Sequence, residues 1–161
     1  MEKGLQEDLI ELIKNKHNPC TQLLLDWCLK SEYNKVLSKI VFLGWTDMVD
    51  NLYRLGASNF NEVMIVATNQ GRYSILPVLI RKGGNNLNQC LIIAAKKGKL
   101  SIVSLMVNKG ADAFDKAIDA VFDNMFGTEK EIKVRLRIID FLEKRKKLHK
   151  EGSYISEILD S

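Results

Sequence analysis

Apolar residues recur along most of this chain at the spacing of amphipathic helices, and the helices that they predict come in pairs. From residue 34 onward the apolar positions fall at i, i+3 and i+4, which places them on one helical face. Each predicted helix covers only about ten residues, too few to be stable alone in water. The helices must therefore pack on one another. The positions expected to face inward are Val36, Leu37, Ile40, Val63, Met64, Ala67, Cys90, Leu91 and Ala94 in the first helices, and Met48, Val49, Leu52, Ile75, Leu76, Leu79, Ile102, Val103 and Met106 in the second.

Three columns of residues recur every 27 residues and mark where these helices begin and end. A mid-unit glycine allows the chain to reverse between two antiparallel helices. A second glycine supplies the left-handed backbone that closes a helix. The third column holds Asn or Asp at or beside a helix start, where the side chain accepts hydrogen bonds from unpaired backbone N–H groups. The columns are Gly44, Gly71 and Gly98, then Gly56, Gly83 and Gly110, then Asn34, Asn61, Asn88 and Asp115.

A fourth, altered unit follows. Its first helix is expected from about Phe114 to Asn124, and its turn glycine, Gly127, arrives two residues late. Thr128 and Glu131 then have the spacing of a capping box. A long charged helix to about Lys147 suits a terminal cap, because one of its faces has no further neighbour. The expected inward positions are Ala117, Ile118, Val121, Phe122, Ile132, Val134, Leu136, Ile138, Ile139, Phe141 and Leu142.

The segment 94–112, A-A-K-K-G-K-L-S-I-V-S-L-M-V-N-K-G-A-D, resembles an ankyrin repeat. That family's consensus has A-A-x-x-G-H, then I-V-x-L-L, then G-A-D. Ankyrin units have about 33 residues, so each unit here is about six residues shorter and lacks the hairpin finger and the Thr-Pro-Leu-His corner. In this respect the pattern is similar to the finger-poor arrays of large DNA viruses. The matching residues are Ala94, Ala95, Gly98, Ile102, Val103, Leu105, Gly110, Ala111 and Asp112.

The resemblance implies an all-α fold, an ankyrin-like α-solenoid of about five antiparallel helix pairs in one domain over residues 1–161. An N-terminal capping helix pair would cover 1–33 and regular repeats 34–60, 61–87 and 88–114. The altered repeat and C-terminal cap would cover 115–161. Leu105 is expected to face inward, so its replacement by Ala should lower the free energy of unfolding by roughly 2–5 kcal/mol.

Ankyrin-like arrays bind proteins with the exposed side of their first helices, so the resemblance implies a non-enzymatic protein–protein interaction module. A concave helical surface would meet a protein partner, such as a host factor of a virus or a subunit of an assembly. Two members of this surface, Val66 and Ile93, have an alternative role, packing beneath neighbouring helices. The implied protein-binding residues are Lys39, Phe42, Leu43, Val66, Asn69, Gln70, Ile93, Lys96 and Lys97.

Positive charge is concentrated near the C-terminus. The net charge is +4, but residues 129–150 alone hold nine Lys and Arg against four Asp and Glu. The basic run suits phosphate groups, which would make the chain a nucleic-acid-associated protein, and it is also typical of nuclear import signals. The alternative is the solvated end of a capping helix, where cations complement the helix dipole. The run comprises Lys144, Arg145, Lys146, Lys147 and Lys150.

Little in the sequence suggests catalysis. His17 and His149 lack a neighbouring nucleophile or carboxylate pair, and no glycine loop has the phosphate-binding spacing. Cys20, Cys28 and Cys90 match no structural zinc pattern and are expected to be reduced. We expect neither a cofactor nor a bound metal. Without a secretory signal or an apolar run long enough for a membrane, we expect an intracellular, cytoplasmic protein, with nuclear import through the basic run as the variant.

Overall fold

The computed structural model describes residues 30–43 and 46–159, and the described residues form eight α-helices and no strand, which confirms the all-α prediction. Most of the predicted capping pair at 1–33, Gly44, Cys20, Cys28 and His17 lie outside the described residues. A short 3-10 turn, Tyr73–Ile75, precedes the fourth helix. The helices are α1 (Lys30–Leu43), α2 (Asp47–Leu55), α3 (Phe60–Gln70), α4 (Leu76–Arg81), α5 (Leu87–Lys96), α6 (Leu100–Asn108), α7 (Phe114–Phe122) and α8 (Glu129–Leu159).

The helices belong to two compact units, one ending at Gly84 and the other beginning at Asn85. In the first unit α1 packs on α2 and α3, and α3 packs on α4. In the second unit α5 packs on α6 and α7, and α8 packs on α6 and α7. Within each unit, consecutive first helices of the predicted pairs therefore contact each other directly.

The predicted inward positions form the core of each unit. Sixteen of the eighteen predicted in the first three repeats are buried, and the other two, Val36 and Met48, are half-buried. Removing these side chains from water is the main favourable contribution to folding, about 1.5–3 kcal/mol for each fully buried large aliphatic residue. The largest fully buried side chains are Leu37, Ile40, Leu52, Met64, Ile75, Leu76 and Leu79 in the first unit and Leu91, Ile102, Met106 and Ile138 in the second.

Ile132, Val134 and Phe141 of α8 are half-buried, and three further residues expected to face inward are also not buried. Leu136 is 50% exposed because it lies off the stripe of α8 that packs inward, which consists of Arg135, Ile138, Ile139 and Leu142. Phe122, at the end of α7, is 56% exposed. Leu105 is half-buried at the edge of the α6 stripe. Its replacement by Ala should therefore cost less than the loss expected of a fully buried leucine.

The helix-closing glycines have the predicted left-handed backbone conformation. The three helix-closing glycines, Gly56, Gly83 and Gly110, have φ of 103°, 102° and 100°. The residue after each glycine donates its N–H to a carbonyl five positions back, as Ala111 does to Met106 at 3.0 Å. This is the Schellman arrangement, which satisfies carbonyls at a helix end that would otherwise be unpaired.

The asparagine column caps a different helix from the one that carries it. Asn88 lies in the first turn of α5, and its Oδ1 accepts hydrogen bonds from the backbone N–H groups of Asp112 (2.8 Å) and Ala113 (3.1 Å). These two residues directly precede α7. The predicted chemistry is therefore confirmed, but the capped helix belongs to the following pair.

The first unit repeats this link. Asn34 lies within α1, and its Oδ1 accepts from the backbone N–H groups of Ser58 (2.9 Å) and Asn59 (3.3 Å), directly before α3. In the fourth repeat the equivalent residue is an acid, Asp115, which forms an ion pair with Lys146 of α8 instead. The same side-chain position thus joins each of these first helices to the next element that packs on it.

A second link joins the other ends of the same helices. Arg72, which follows α3, donates a guanidinium hydrogen bond to the carbonyl of Phe42 in α1 at 3.0 Å. Asn124, which follows α7, donates from Nδ2 to the carbonyl of Lys96 in α5 at 2.8 Å. Both carbonyls belong to the last turn of a helix, where intrahelical partners are missing. Two first helices are therefore tied together at both ends in each unit.

We expect Asn88→Ala to lower the free energy of unfolding by about 1–2 kcal/mol, because it removes the cap from the start of α7. The neighbouring exposed residue Gln89 provides the matched control, and Gln89→Ala should change stability by less than about 0.5 kcal/mol. Urea unfolding followed by circular dichroism measures both. Equal midpoints for the two variants would contradict the capping role.

Gly84 is fitted to one side chain. It occupies the column of Ala57 and Ala111, but a methyl group there would overlap Met64 Sδ and lie 3.0 Å from the carbonyl oxygen of Leu79. Met64 is fully buried. It occupies the position that holds Leu37 in the first repeat and Leu91 in the third. The longer methionine therefore fills the space that the missing methyl group leaves.

Gly84→Ala alone should lower the free energy of unfolding by about 1–3 kcal/mol through overpacking. Combining it with Met64→Leu recreates the residue pair of the other units and should recover most of that loss. A double-mutant cycle from urea titrations gives the coupling free energy. Additive effects of the two substitutions would show that the two sites do not share this space.

The core also contains a hydroxyl group without a partner. Thr68 is fully buried, and its Oγ1 has no hydrogen-bond partner. The same column holds Val41 and Ala95, which are also fully buried. An unpaired buried hydroxyl lowers stability because the hydrogen bond to water is lost on folding.

Thr68→Val keeps the shape and removes the hydroxyl, so it should raise the free energy of unfolding by about 1 kcal/mol. Thr68→Ser keeps the hydroxyl and removes the methyl group, so it should lower that free energy. Thermal and urea unfolding of the two variants check the prediction. A valine variant less stable than the wild type would mean that the hydroxyl has a partner.

Candidate functional site

In the first unit, the predicted binding residues lie on the C-terminal halves of α1 and α3. Phe42 is 49% exposed. Lys39, Asn69 and Gln70 are also exposed, and Val66 is half-buried. Leu43 belongs to α1, but its side chain lies outside the described residues. Exposed polar and aromatic side chains therefore lie beside each other on two packed helices.

In the second unit, the predicted residues lie on the C-terminal half of α5. Lys96 and Lys97 are exposed, and Ile93 is half-buried. Because Val66 and Ile93 are each half-buried, both contribute to packing and retain some exposed surface. Sequence reasoning omitted the positions 27 residues further on, where Asp123 is exposed and Asn124 is half-buried. The repeat period was the signal that would have found them.

At one position of this surface the side chain differs from repeat to repeat, although the hydrogen bond to its backbone carbonyl is found in both compact units. Phe42, Asn69, Lys96 and Asp123 occupy the same column, and all four are exposed. Their side chains are aromatic, amide, cationic and anionic. The backbone carbonyls of Phe42 and Lys96 are fixed by the hydrogen bonds from the following pair. Different side chains are therefore displayed from equivalent places.

A polar cluster on the second helices of the first unit has a structural role. Lys82 Nζ lies 2.6 Å from a carboxylate oxygen of Asp50 and 4.3 Å from the ring centre of Tyr53. The hydrogen bond from Lys82 holds the pKa of Asp50 below its ordinary value. The Tyr53 ring packs at 5.8 Å from that of Phe60. These contacts connect α2 with the end of α4 and the start of α3.

The turn between α7 and α8 is held by several hydrogen bonds. Glu131 accepts from the backbone N–H of Thr128 at 2.8 Å, and the Thr128 hydroxyl accepts from the N–H of Glu131 at 3.4 Å, which confirms the capping box. The hydrogen bonds from Thr128 hold the pKa of Glu131 below its ordinary value, and the nearby charge of Arg135 acts in the same direction. Arg135 Nη1 also donates to the carbonyl of Phe126 at 2.8 Å.

The basic run lies in the middle of α8. The prediction that this helix ends near Lys147 is wrong, because α8 continues to Leu159. The run therefore does not lie at the helix end, and the cations do not complement the dipole there. Helical structure continues because residues 148–159 contain no proline, and Gly152 is its only strong helix breaker.

Most charges of the basic run have a partner within the chain. Lys144 pairs with Asp140 at 2.9 Å and Lys147 with Glu151 at 3.9 Å, both at helical i, i+4 spacing. Lys146 pairs with Asp115. The Arg145 guanidinium lies 5.3 Å from the ring centre of Phe141, and Lys150 is exposed. These contacts are typical of a solvated, charged helix face.

The remaining candidate residues form no centre in the described part of the chain. There, no group of three or more His, Cys, Asp or Glu is placed to hold a metal ion. Cys90 is buried, and the His149 ring packs edge-on at 5.9 Å from the Phe114 ring. Over residues 30–43 and 46–159, no helix has the length and apolar character needed to cross a membrane.

Neither the models of known protein families nor the curated protein sequences give a match to this chain.

Proposed function

We propose that this chain is a non-enzymatic protein-interaction module, an ankyrin-like array of helix pairs that binds a protein partner with the exposed sides of its first helices. The partner would be a host factor or a subunit of a larger assembly. The binding residues would include Phe42, Asn69 and Lys96, with their neighbours on the same helices.

One observation carries this proposal, the contrast between a recurring framework and a varying surface. The helix-closing glycines and the buried leucine or methionine of the first helices recur every 27 residues, and the asparagine link is present in each compact unit. The exposed column, in contrast, changes its chemistry from Phe42 to Asn69 to Lys96. Repeat scaffolds that bind proteins use such a division, because stacking fixes the framework and leaves the surface free to vary.

Phosphate binding by the basic run has less support. Three of its five cationic groups, those of Lys144, Lys146 and Lys147, already have a carboxylate partner. Displacing those partners would reduce the gain from each phosphate contact. The two functions differ in salt dependence, because phosphate binding weakens steeply as salt concentration rises.

The experiment that tests this function is affinity purification of the tagged protein from its native cell, with nuclease and at two salt concentrations. Lys96→Glu reverses a charge on the proposed surface. Lys109→Glu reverses the charge of another exposed lysine of the same unit and is the matched control. Partners should survive nuclease, persist in the control and fall by about tenfold with Lys96→Glu or Phe42→Ser.

Two outcomes would overturn the proposed function. Partners that bind all three variants equally would exclude the first-helix surface. Partners that are lost with nuclease and at high salt, and that depend on Lys144 and Arg145, would favour nucleic-acid binding by the basic run.

A further inference from the structure

The face of α7 that points away from α5 is only partly covered. On α5, the stripe of Asn88, Ile92 and Ala95 faces α7, since Asn88 bonds to the start of α7 and Ala95 is fully buried. The equivalent stripe on α7, 27 residues later, is Asp115, Asp119 and Phe122. By this equivalence it faces away from α5, where a further first helix would pack.

Helix α8 covers only one end of this stripe. Lys146 of α8 reaches Asp115, but Asp119 and Phe122 remain exposed. In the three preceding repeats, the position equivalent to Phe122 holds Val41, Thr68 and Ala95, which are all fully buried. The fourth repeat thus has a large, exposed aromatic side chain at a position where the preceding repeats have smaller, buried side chains.

A second exposed aromatic residue, Phe126, lies on the turn that follows. Its side chain is 78% exposed, and the N–H of Met125 donates to the carbonyl of Phe122 at 3.2 Å, so the two phenylalanines are joined by a tight turn. Single exposed apolar residues are common on protein surfaces. Phe122 and Phe126 are four positions apart in the chain and both exposed, so together they offer more apolar surface than one isolated residue does.

The backbone at Phe126 is held by a buried arginine that lacks one of its hydrogen-bond partners. Arg135 is only 8% exposed, its Nε lacks a partner, and its Nη1 holds the carbonyl of Phe126. Burying a guanidinium with an unpaired donor is unfavourable. Gly127 has φ of 129°, and a methyl group there would overlap the Glu131 carboxylate. A surface fixed in this way loses little conformational entropy when it binds a partner.

The charged side chains of the segment 119–129 itself are acidic, and the Arg135 guanidinium that contacts the Phe126 carbonyl is buried. From Asp119 to Glu129 the chain carries three acidic residues and no Lys or Arg, although the whole chain has a net charge of +4. Asp119 and Asp123 are one helical turn apart, since the N–H of Asp123 donates to the carbonyl of Asp119 at 2.9 Å. Phe122 lies next to both on the same turn.

We propose that this corner, residues 119–129, docks a basic amphipathic helix of another protein. A helix is the element that covers the equivalent stripe of α5, and the apolar face of the ligand would cover Phe122 and Phe126. Lysine and arginine residues beside that face would pair with Asp119 and Asp123. The inference rests on the proposed function in protein binding, and the corner shares Asp123 with the exposed column described above, whereas Phe122 and Phe126 belong to the corner alone.

Two labelled peptides test this inference, an amphipathic helix of leucine and lysine and its counterpart of leucine and glutamate. Fluorescence anisotropy with the full chain should give a dissociation constant for the leucine–lysine peptide at least about tenfold lower than for the other. Phe122→Ser combined with Phe126→Ser should raise that constant by about tenfold. Tyr73→Ser, which changes another half-exposed aromatic residue outside both proposed surfaces, is the matched control and should leave it unchanged.

The acidic residues have their own test. Asp119→Asn combined with Asp123→Asn should weaken binding of the leucine–lysine peptide and flatten its dependence on salt, because screened charge pairs would be removed. All of the substituted side chains are exposed, so the thermal unfolding midpoint should not move. That measurement shows that any lost binding comes from the surface itself.

Three results would overturn the inference. The first is that the double serine variant binds the leucine–lysine peptide as tightly as the wild type does. The second is equal affinity of the chain for both peptides. The third is self-association that the double serine variant abolishes, because a second copy of the chain would then be the occupant. Loss of native partners by Lys96→Glu, together with no peptide binding, would leave the proposed function intact. Peptide binding at the corner, with no effect of Lys96→Glu or Phe42→Ser on native partners, would support the corner and contradict the proposed first-helix surface.

Discussion

Most of the described helices are too short to form independently, and the structure depends on the contacts between consecutive first helices. α2, α3 and α5 have nine, eleven and ten residues. Such segments are stabilised by packing rather than by intrinsic propensity. The asparagine link makes this dependence stronger, since the start of α7 is capped by a side chain of α5. A helix is therefore capped only when its neighbour is in place, which couples the formation of the two.

The same dependence decides which residues remain available for binding. In α1 and α5, one stripe is buried in the core and another faces the next first helix, α3 or α7. The carbonyls of the last turn accept hydrogen bonds from Arg72 or Asn124, which fixes the end of the helix. What remains is a narrow exposed column that begins with Phe42. Its side chains can differ between units because no framework contact depends on them.

The fourth repeat differs from the preceding ones in the length and charge of its second helix. α8 has 31 residues and carries ion pairs along its solvent face, including Glu129 with Lys133 at 2.6 Å. Such exposed ion pairs contribute little to the free energy of unfolding. The stripe of α7 that would receive a further helix carries acids at Asp115 and Asp119. Charged residues at these positions disfavour the continued stacking of an apolar repeat.

The sequence by itself determined the elements and most of the core. The glycine turns, the capping box of Thr128 and Glu131, and buried residues such as Leu37 and Leu91 follow from interactions between residues close in the chain. Their signals are local, because a helix period and a turn conformation depend on nearby residues.

Only the tertiary structure decided the partners of residues far apart in the chain. Asn88 bonds 24 residues ahead, Lys146 pairs with Asp115, and Phe122 is exposed although its spacing is that of a core residue. Periodicity shows which side of a helix is apolar, but it does not show whether another element covers that side. Coverage depends on the packing of α7 and α8 in space, and that packing is a property of the folded chain.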